Sequence, residues 1–234
     1  MTTNPSLPAE PLSETQAAPA AKSEARVKPA QRKQAAMPVL EQLFGLYPHL
    51  FGAEFLPLKR GIFQDLLERH PDLFQRDSLK AALSVHARST PYLQCVAAGK
   101  ARHDLDGTAV EAVAPEHVYQ AVVELHRRRQ VRTKEDLRPK LRAQLSAAFE
   151  ASGLSRQDYL ARVMPADEAM AAVLDAALGD SAERIARQEA LNRAFEASGK
   201  SARDFAGMYG VHERDVIKAA LACKRRAQAT AATA

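Results

Sequence analysis

The sequence predicts a mainly α protein: a helical domain carrying one small β-hairpin, followed by an all-α extension built from two related helical units. Three observations lead there. Apolar residues make up 46% of the 234-residue chain but aromatics only 6%, so alanine supplies much of the apolar surface, which favours slim, closely packed helices over thick sheet cores. Most apolar runs recur at intervals of three and four, the helical period. A block of the C-terminal third also occurs twice.

Residues 1–35 are Ala, Pro, Ser, Thr and Lys/Arg with almost no large apolar side chains. Such a stretch cannot bury enough surface to offset its ordering entropy, so a disordered basic arm is expected, either a solubilising tail or an electrostatic tether. Order is expected from about Met37. Val39, Leu40, Leu43, Phe44 and Leu46 share a helix face that Tyr47-Pro48 ends. Past the Pro57-Leu58 corner and Gly61, the residues Ile62, Phe63, Leu66 and Leu67 make a one-faced helix stopping at His70-Pro71. In the next helix Asp77 is placed to cap, and Leu79, Ala82, Leu83 and His86 face inward. Arg76, Lys80, Ser84 and Arg88 follow one another every four residues and so lie along one stripe. That stripe is either a solvated face or a cationic ridge.

After Pro91 the period shortens. Tyr92–Val96 and Ala101–Leu105 read as two short strands joined by a Gly-containing loop, with Arg102 and Asp104 on one face as an ion pair. Asp106-Gly107 is a turn signal, and a helix is expected from Pro115 through Val118, Val122, Val123 and Leu125. Residues 126–142 carry Arg127, Arg128, Arg129, Arg132, Lys134, Arg138, Lys140 and Arg142 against only Glu135 and Asp136. This is a solvated junction or a phosphate-contacting strip, and Pro139 is a candidate helix breaker in it.

The repeat fills most of residues 131–234. Ala148-Phe149-Glu150-Ala151-Ser152-Gly153 recurs as Ala194-Phe195-Glu196-Ala197-Ser198-Gly199, and Ser155…Asp158-Tyr159 recurs as Ser201…Asp204-Phe205. Each glycine can end a helix in the left-handed conformation, and each serine can cap the next helix with an aspartate three residues on. Two units, about 134–178 and 180–226, are expected to part at Gly179-Asp180. In the second, Ala206, Gly210, Val211 and Val216 sit where a helix-turn-helix needs a small residue, a turn glycine and buried apolar residues, with Arg214 and Lys218 outward. The first copy has Val163-Met164-Pro165 there and no glycine, which favours a packing motif over a DNA reader.

No Walker loop, dinucleotide fingerprint, nucleophile elbow or metal-ligand spacing occurs among the ten glycines, the serines, the seven histidines or Cys95 and Cys223. Catalytic residues, metal and cofactor are therefore all expected to be none. Two distant cysteines fit a reducing compartment, and no apolar run approaches the ~18 residues of a membrane span. A cytoplasmic protein without a secretory leader or membrane partner is expected.

From about Leu43 to Val123 the chain resembles the ProQ/FinO family of bacterial RNA-binding proteins. The likeness rests on Pro57-Leu58-Lys59 with Gly61-Ile62-Phe63-Gln64-Asp65-Leu66, on Tyr92-Leu93, and on Arg102 with Asp104-Leu105-Asp106-Gly107, in order and spacing. It implies an RNA-chaperone domain over residues 36–130 that binds stem-loops with single-stranded 3′ ends, as in terminators, and acts in post-transcriptional regulation. Small RNAs and mRNA 3′ ends would be its partners. Family binding residues fall on Lys59, Arg76, Lys80, Tyr92 and Arg102; the neighbouring Arg60, Arg88 and Lys100 extend that set, and Arg127, Arg128, Arg129 and Arg132 form a secondary strip. The cations would neutralise phosphates, and Tyr92 would stack on a base or bond the backbone through its hydroxyl. Lys80 stands where the family often has Arg, so a forked contact becomes a point charge. Two other readings remain: a DNA-binding regulator using the helix pair at 201–218, and a self-association or protein-partner module within 131–226.

Overall fold

The computed structural model describes residues 29–52 and 54–233. The first helix, α1 (Pro29–Leu46), starts within the stretch expected to be an arm, and the rest of that expectation, residues 1–28, lies outside the described residues. A single turn, α2 (Pro48–Phe51), follows, then α3 (Ile62–Arg69) and α4 (Arg76–Ala87). These pack round Leu40, Leu43, Phe51, Leu66, Leu79 and Ala82, all buried.

The expected first strand is instead a helix, α5 (Thr90–Ala97). Ser89 caps it by accepting from the Tyr92 N–H at 3.3 Å, and Pro91 sits in the first turn, where a missing N–H costs nothing. Tyr92, Cys95 and Val96 are buried at the three- and four-residue steps of a helix. The hairpin lies one step further on. β1 (Arg102–His103) pairs antiparallel with β2 (Ala109–Glu111) around Asp106-Gly107. The Asp104 side chain accepts from the Asp106 and Thr108 N–H groups at 3.0 and 2.9 Å and so holds the turn. Pro57–Lys59 runs beside β1: the Lys59 N–H donates to the His103 carbonyl at 2.8 Å and the His103 N–H to the Pro57 carbonyl at 2.7 Å.

α6 (Pro115–Gln130) is shared between two cores. Val118 and Ala121 enter the first, and Tyr119 and Val122 enter a second with Leu141, Leu145, Tyr159, Val163 and Leu178. The extension is therefore docked on the N-terminal helices. Pro139 begins α7 (Arg138–Ser152) rather than breaking a helix, being in its first turn. α8 (Arg156–Arg162) leads to α9 (Glu168–Ser198), then α10 (Ala202–Tyr209) and α11 (Glu213–Thr233).

The repeat's caps form as expected. Gly153 and Gly199 are left-handed at φ 65° and 62°. Ser155 and Ser201 accept from the Asp158 and Asp204 N–H groups and donate to those carboxylates at 2.7 and 2.6 Å. The units do not part at Gly179-Asp180, because α9 runs unbroken through both. Its first half enters the second core through Leu174, Ala177 and Leu178; its second half enters a third core, around Phe205, Ala206 and Val216, through Leu191 and Phe195. Asp180 and Ser181 bond to Arg142 and Glu150 of α7, so tertiary contacts carry the helix across a single glycine whose intrinsic penalty is about 1 kcal/mol.

Candidate nucleic-acid interface

Residues 36–130 contain eleven Lys/Arg and eleven Asp/Glu, so any affinity for a polyanion depends on how the charges are placed. The structure sorts the cations into two groups.

The first group is neutralised within the fold. Lys59 Nζ donates to Asp65 Oδ2 at 2.8 Å and lines a hollow of about 440 Å³ with Asp65, Glu68, Asp104 and Asp106. The bond to Asp65, with the nearby Asp104 and Glu68 charges, raises its pKa. Arg60 reaches Glu111 at 3.5 Å. Arg69, outside the expected site, clamps Asp106 through two bonds and holds the hairpin turn against α3.

Arg102 is turned inward, its side chain only 13% exposed. It donates to the Leu58 carbonyl at 2.9 Å, approaches His117 Nδ1 at 3.4 Å, and pairs with Glu111 at 3.6 Å rather than with the expected Asp104. Tyr92 is buried, and its hydroxyl accepts from the Leu58 N–H at 3.2 Å. Burial raises its pKa, against the lowering effect of that bond and of Arg102. Its ring meets His86 at 5.1 Å and is enclosed, so it offers no open face for a base; together Tyr92 and Arg102 pin the 57–59 segment to α5 and the hairpin.

The second group carries no ion pair among the described residues: Arg76, Lys80, Arg88, Lys100, Arg129 and Arg132. Arg76, Lys80 and Arg88 are exposed along one face of α4, with Ser84 half-buried between them. Their twelve-residue span corresponds to about 18 Å of helix. Arg76 lies over the Phe63 ring at 5.6 Å, which orients the guanidinium without neutralising it.

The secondary strip meets this ridge. Arg127 and Arg128 share Glu124, whose pKa their hydrogen bonds hold at about 2, and Arg128 also donates to Thr90 Oγ1 at 3.2 Å. The C-terminal end of α6, bearing Arg129, thereby comes against the start of α5, immediately after Arg88. Ser89 and Thr90 are polar groups at this meeting point, outside the expected set of binding residues. The Ser-x-Pro pattern at the start of α5 was the available signal. Among the described residues no cluster of His, Cys, Asp and Glu is arranged to hold a metal ion, and no helix is long and apolar enough to cross a membrane.

Residues 33–138 match the ProQ/FINO family. The RNA chaperone ProQ of Shewanella pealeana is 41% identical over 91 residues, covering 37% of this chain and 43% of that protein. The RNA chaperone ProQ of Aeromonas salmonicida is 40% identical over 87 residues, covering 36% and 41%. The chain thus spans about four tenths of the length of these curated relatives. Among solved structures, a FinO-like RNA chaperone of Neisseria meningitidis aligns at 29% identity and a TM-score of 0.34, covering 38% of this chain and 92% of that one.

Proposed function

Taking residues 33–138 as a ProQ/FINO-family domain, we propose that the protein is an RNA chaperone that binds structured RNA along the α4 ridge and acts in post-transcriptional regulation. The observation that carries this reading is the set of unneutralised cations Arg76, Lys80 and Arg88, continued past Ser89-Thr90 by Arg129 and Arg132. Regularly spaced charges on a rigid helix suit a phosphate backbone read by shape, as an A-form stem is. In this reading the start of α5, beside Arg128, takes the single-stranded 3′ end of a terminator-like hairpin. Tyr92 and Arg102 act by holding the 57–59 segment and the hairpin in position, and Lys59 contributes least because carboxylates surround it. Residues 36–130 form the RNA-binding module, and residues 131–234 extend it.

The test is binding of the full chain to a hairpin with a 3′ uridine tail and to the same hairpin without it. Arg76→Ala/Lys80→Ala should weaken binding at least about tenfold and reduce the slope of log K against log salt by about 1.5, as expected for two lost phosphate contacts. Lys59→Ala should change affinity by less than about threefold, since its charge is already balanced. Equal binding to both hairpins, insensitive to Arg76 and Lys80, would overturn the assignment.

A further inference from the structure

The final three helical segments form a unit that RNA binding by α4 leaves unused. The second half of α9, α10 and α11 close around Phe205, Ala206 and Val216, with Leu191, Phe195, Ala202 and Val211 packed against them. α10 ends at Gly210, left-handed at φ 65°, and residues 211–212 lead directly into α11. A short helix, a tight glycine turn and a second helix braced by a third is the arrangement that presents one helix to a nucleic-acid groove. Ala206 lets the pair approach closely, while Val216 and Ala219 bury the inner face of α11.

With Val216 and Ala219 turned in, α11 turns out Arg214, Ile217, Lys218, Leu221 and Arg225, which line one shallow hollow of about 230 Å³. Ile217 is 44% and Leu221 55% exposed. Arg214, Lys218 and Arg225 have no ion-pair partner among the described residues, whereas Arg226, on another side of the helix, pairs with Glu189 of α9. Glu213 and Asp215 occupy the first turn, where they favour the helix dipole.

We propose that α11 is a reading helix for the major groove of duplex DNA. Arg214 and Lys218 would meet phosphates or guanine edges, and Ile217 would meet thymine methyl groups. Groove shape selects DNA over duplex RNA: the B-form major groove admits an α-helix, whereas the A-form groove is too deep and narrow. This goes beyond the RNA-binding reading and uses different residues, so the two can fail separately.

The full chain would be titrated against a mixed-sequence DNA duplex of about 30 base pairs, or about three helical turns, an RNA duplex of the same sequence, and the tailed RNA hairpin. Arg214→Ala/Lys218→Ala should weaken DNA-duplex binding at least about tenfold and lower the salt slope by about 2, with hairpin binding and melting unchanged. Ile217→Glu, at another exposed position, should give a similar loss by placing a carboxylate in the groove. Arg76→Ala/Lys80→Ala should show the converse pattern. Absence of DNA binding at low salt, DNA binding that depends on the α4 ridge alone, or equal binding of duplex RNA through Arg214 and Lys218 would overturn the proposal.

Discussion

The two copies of the C-terminal repeat share their caps and differ in what lies against them. In each, a phenylalanine meets the next aromatic edge-on: Phe149 with Tyr159 at 5.2 Å and 71°, Phe195 with Phe205 at 5.6 Å and 72°. The first copy then continues into Tyr119 and Val122 of α6 and becomes part of the main body. The second has only its own small core. Their turns diverge too. Val163 fills the first copy's turn as a buried residue, and the helix beyond begins with Asp167 and Glu168; Gly210 tightens the second, and the helix beyond carries Arg214 and Lys218. Equal local signals produced equal caps, while the fate of each unit was decided by apolar residues far away in sequence.

The largest expected effect tests that division. Tyr159→Ala removes a fully buried ring from the core that α6 shares and should cost about 3–5 kcal/mol in the main unfolding transition. Phe205→Ala should instead open only α10 and α11, with hydrogen exchange rising there while the main transition stays in place. A single transition lowered equally by both substitutions would merge the two regions into one cooperative unit.

Acid should separate them next. His86 is buried among Phe51, Phe55 and Tyr92, and burial pushes its pKa down to about 4. The unfolded chain, with an ordinary histidine near 6.5, binds the proton first. The neutral ring's contribution is therefore complete above about pH 6.5 and is lost as pH falls towards 4, a loss of up to about 3 kcal/mol. Denaturant melts between pH 7 and 4 should show it in the main body, and His86→Phe should flatten that slope. The core around Phe205, Ala206 and Val216 contains no buried histidine among the described residues, so the effect belongs to the main body.

Much of this was legible in the sequence where the signal is local. The Ser155 and Ser201 caps, the closing glycines, the Asp106-Gly107 turn and the four-residue ridge of α4 each depend on residues within one or two turns. Tyr92–Val96 is strand-like in composition, yet Ser89 and Pro91 together define a helix start, and that local signal prevails in α5. The unbroken α9 and the neutralised state of Lys59 and Arg102 were not legible. They rest on Arg142, Glu150, Glu111 and the carboxylates around Lys59, partners brought in by tertiary folding. The four-residue spacing of Arg76, Lys80 and Arg88 is visible in the sequence, but which cations stay unpaired is a property of the assembled fold.

The smallest effect makes the first copy resemble the second. Tyr159 is fully buried, its hydroxyl has no hydrogen-bond partner among the described residues, and burial pushes its pKa up to about 12. Phe205 occupies the matching position of the second copy without that hydroxyl. An unpaired buried hydroxyl costs roughly 1–3 kcal/mol to desolvate, partly offset by the packing its oxygen provides. Tyr159→Phe should thus leave the main transition unchanged or raise it by about 1 kcal/mol, read from denaturant melts. A clear loss of stability would mean that the hydroxyl is satisfied by bound water, and that the first copy keeps its tyrosine as part of a buried polar contact with no counterpart in the second.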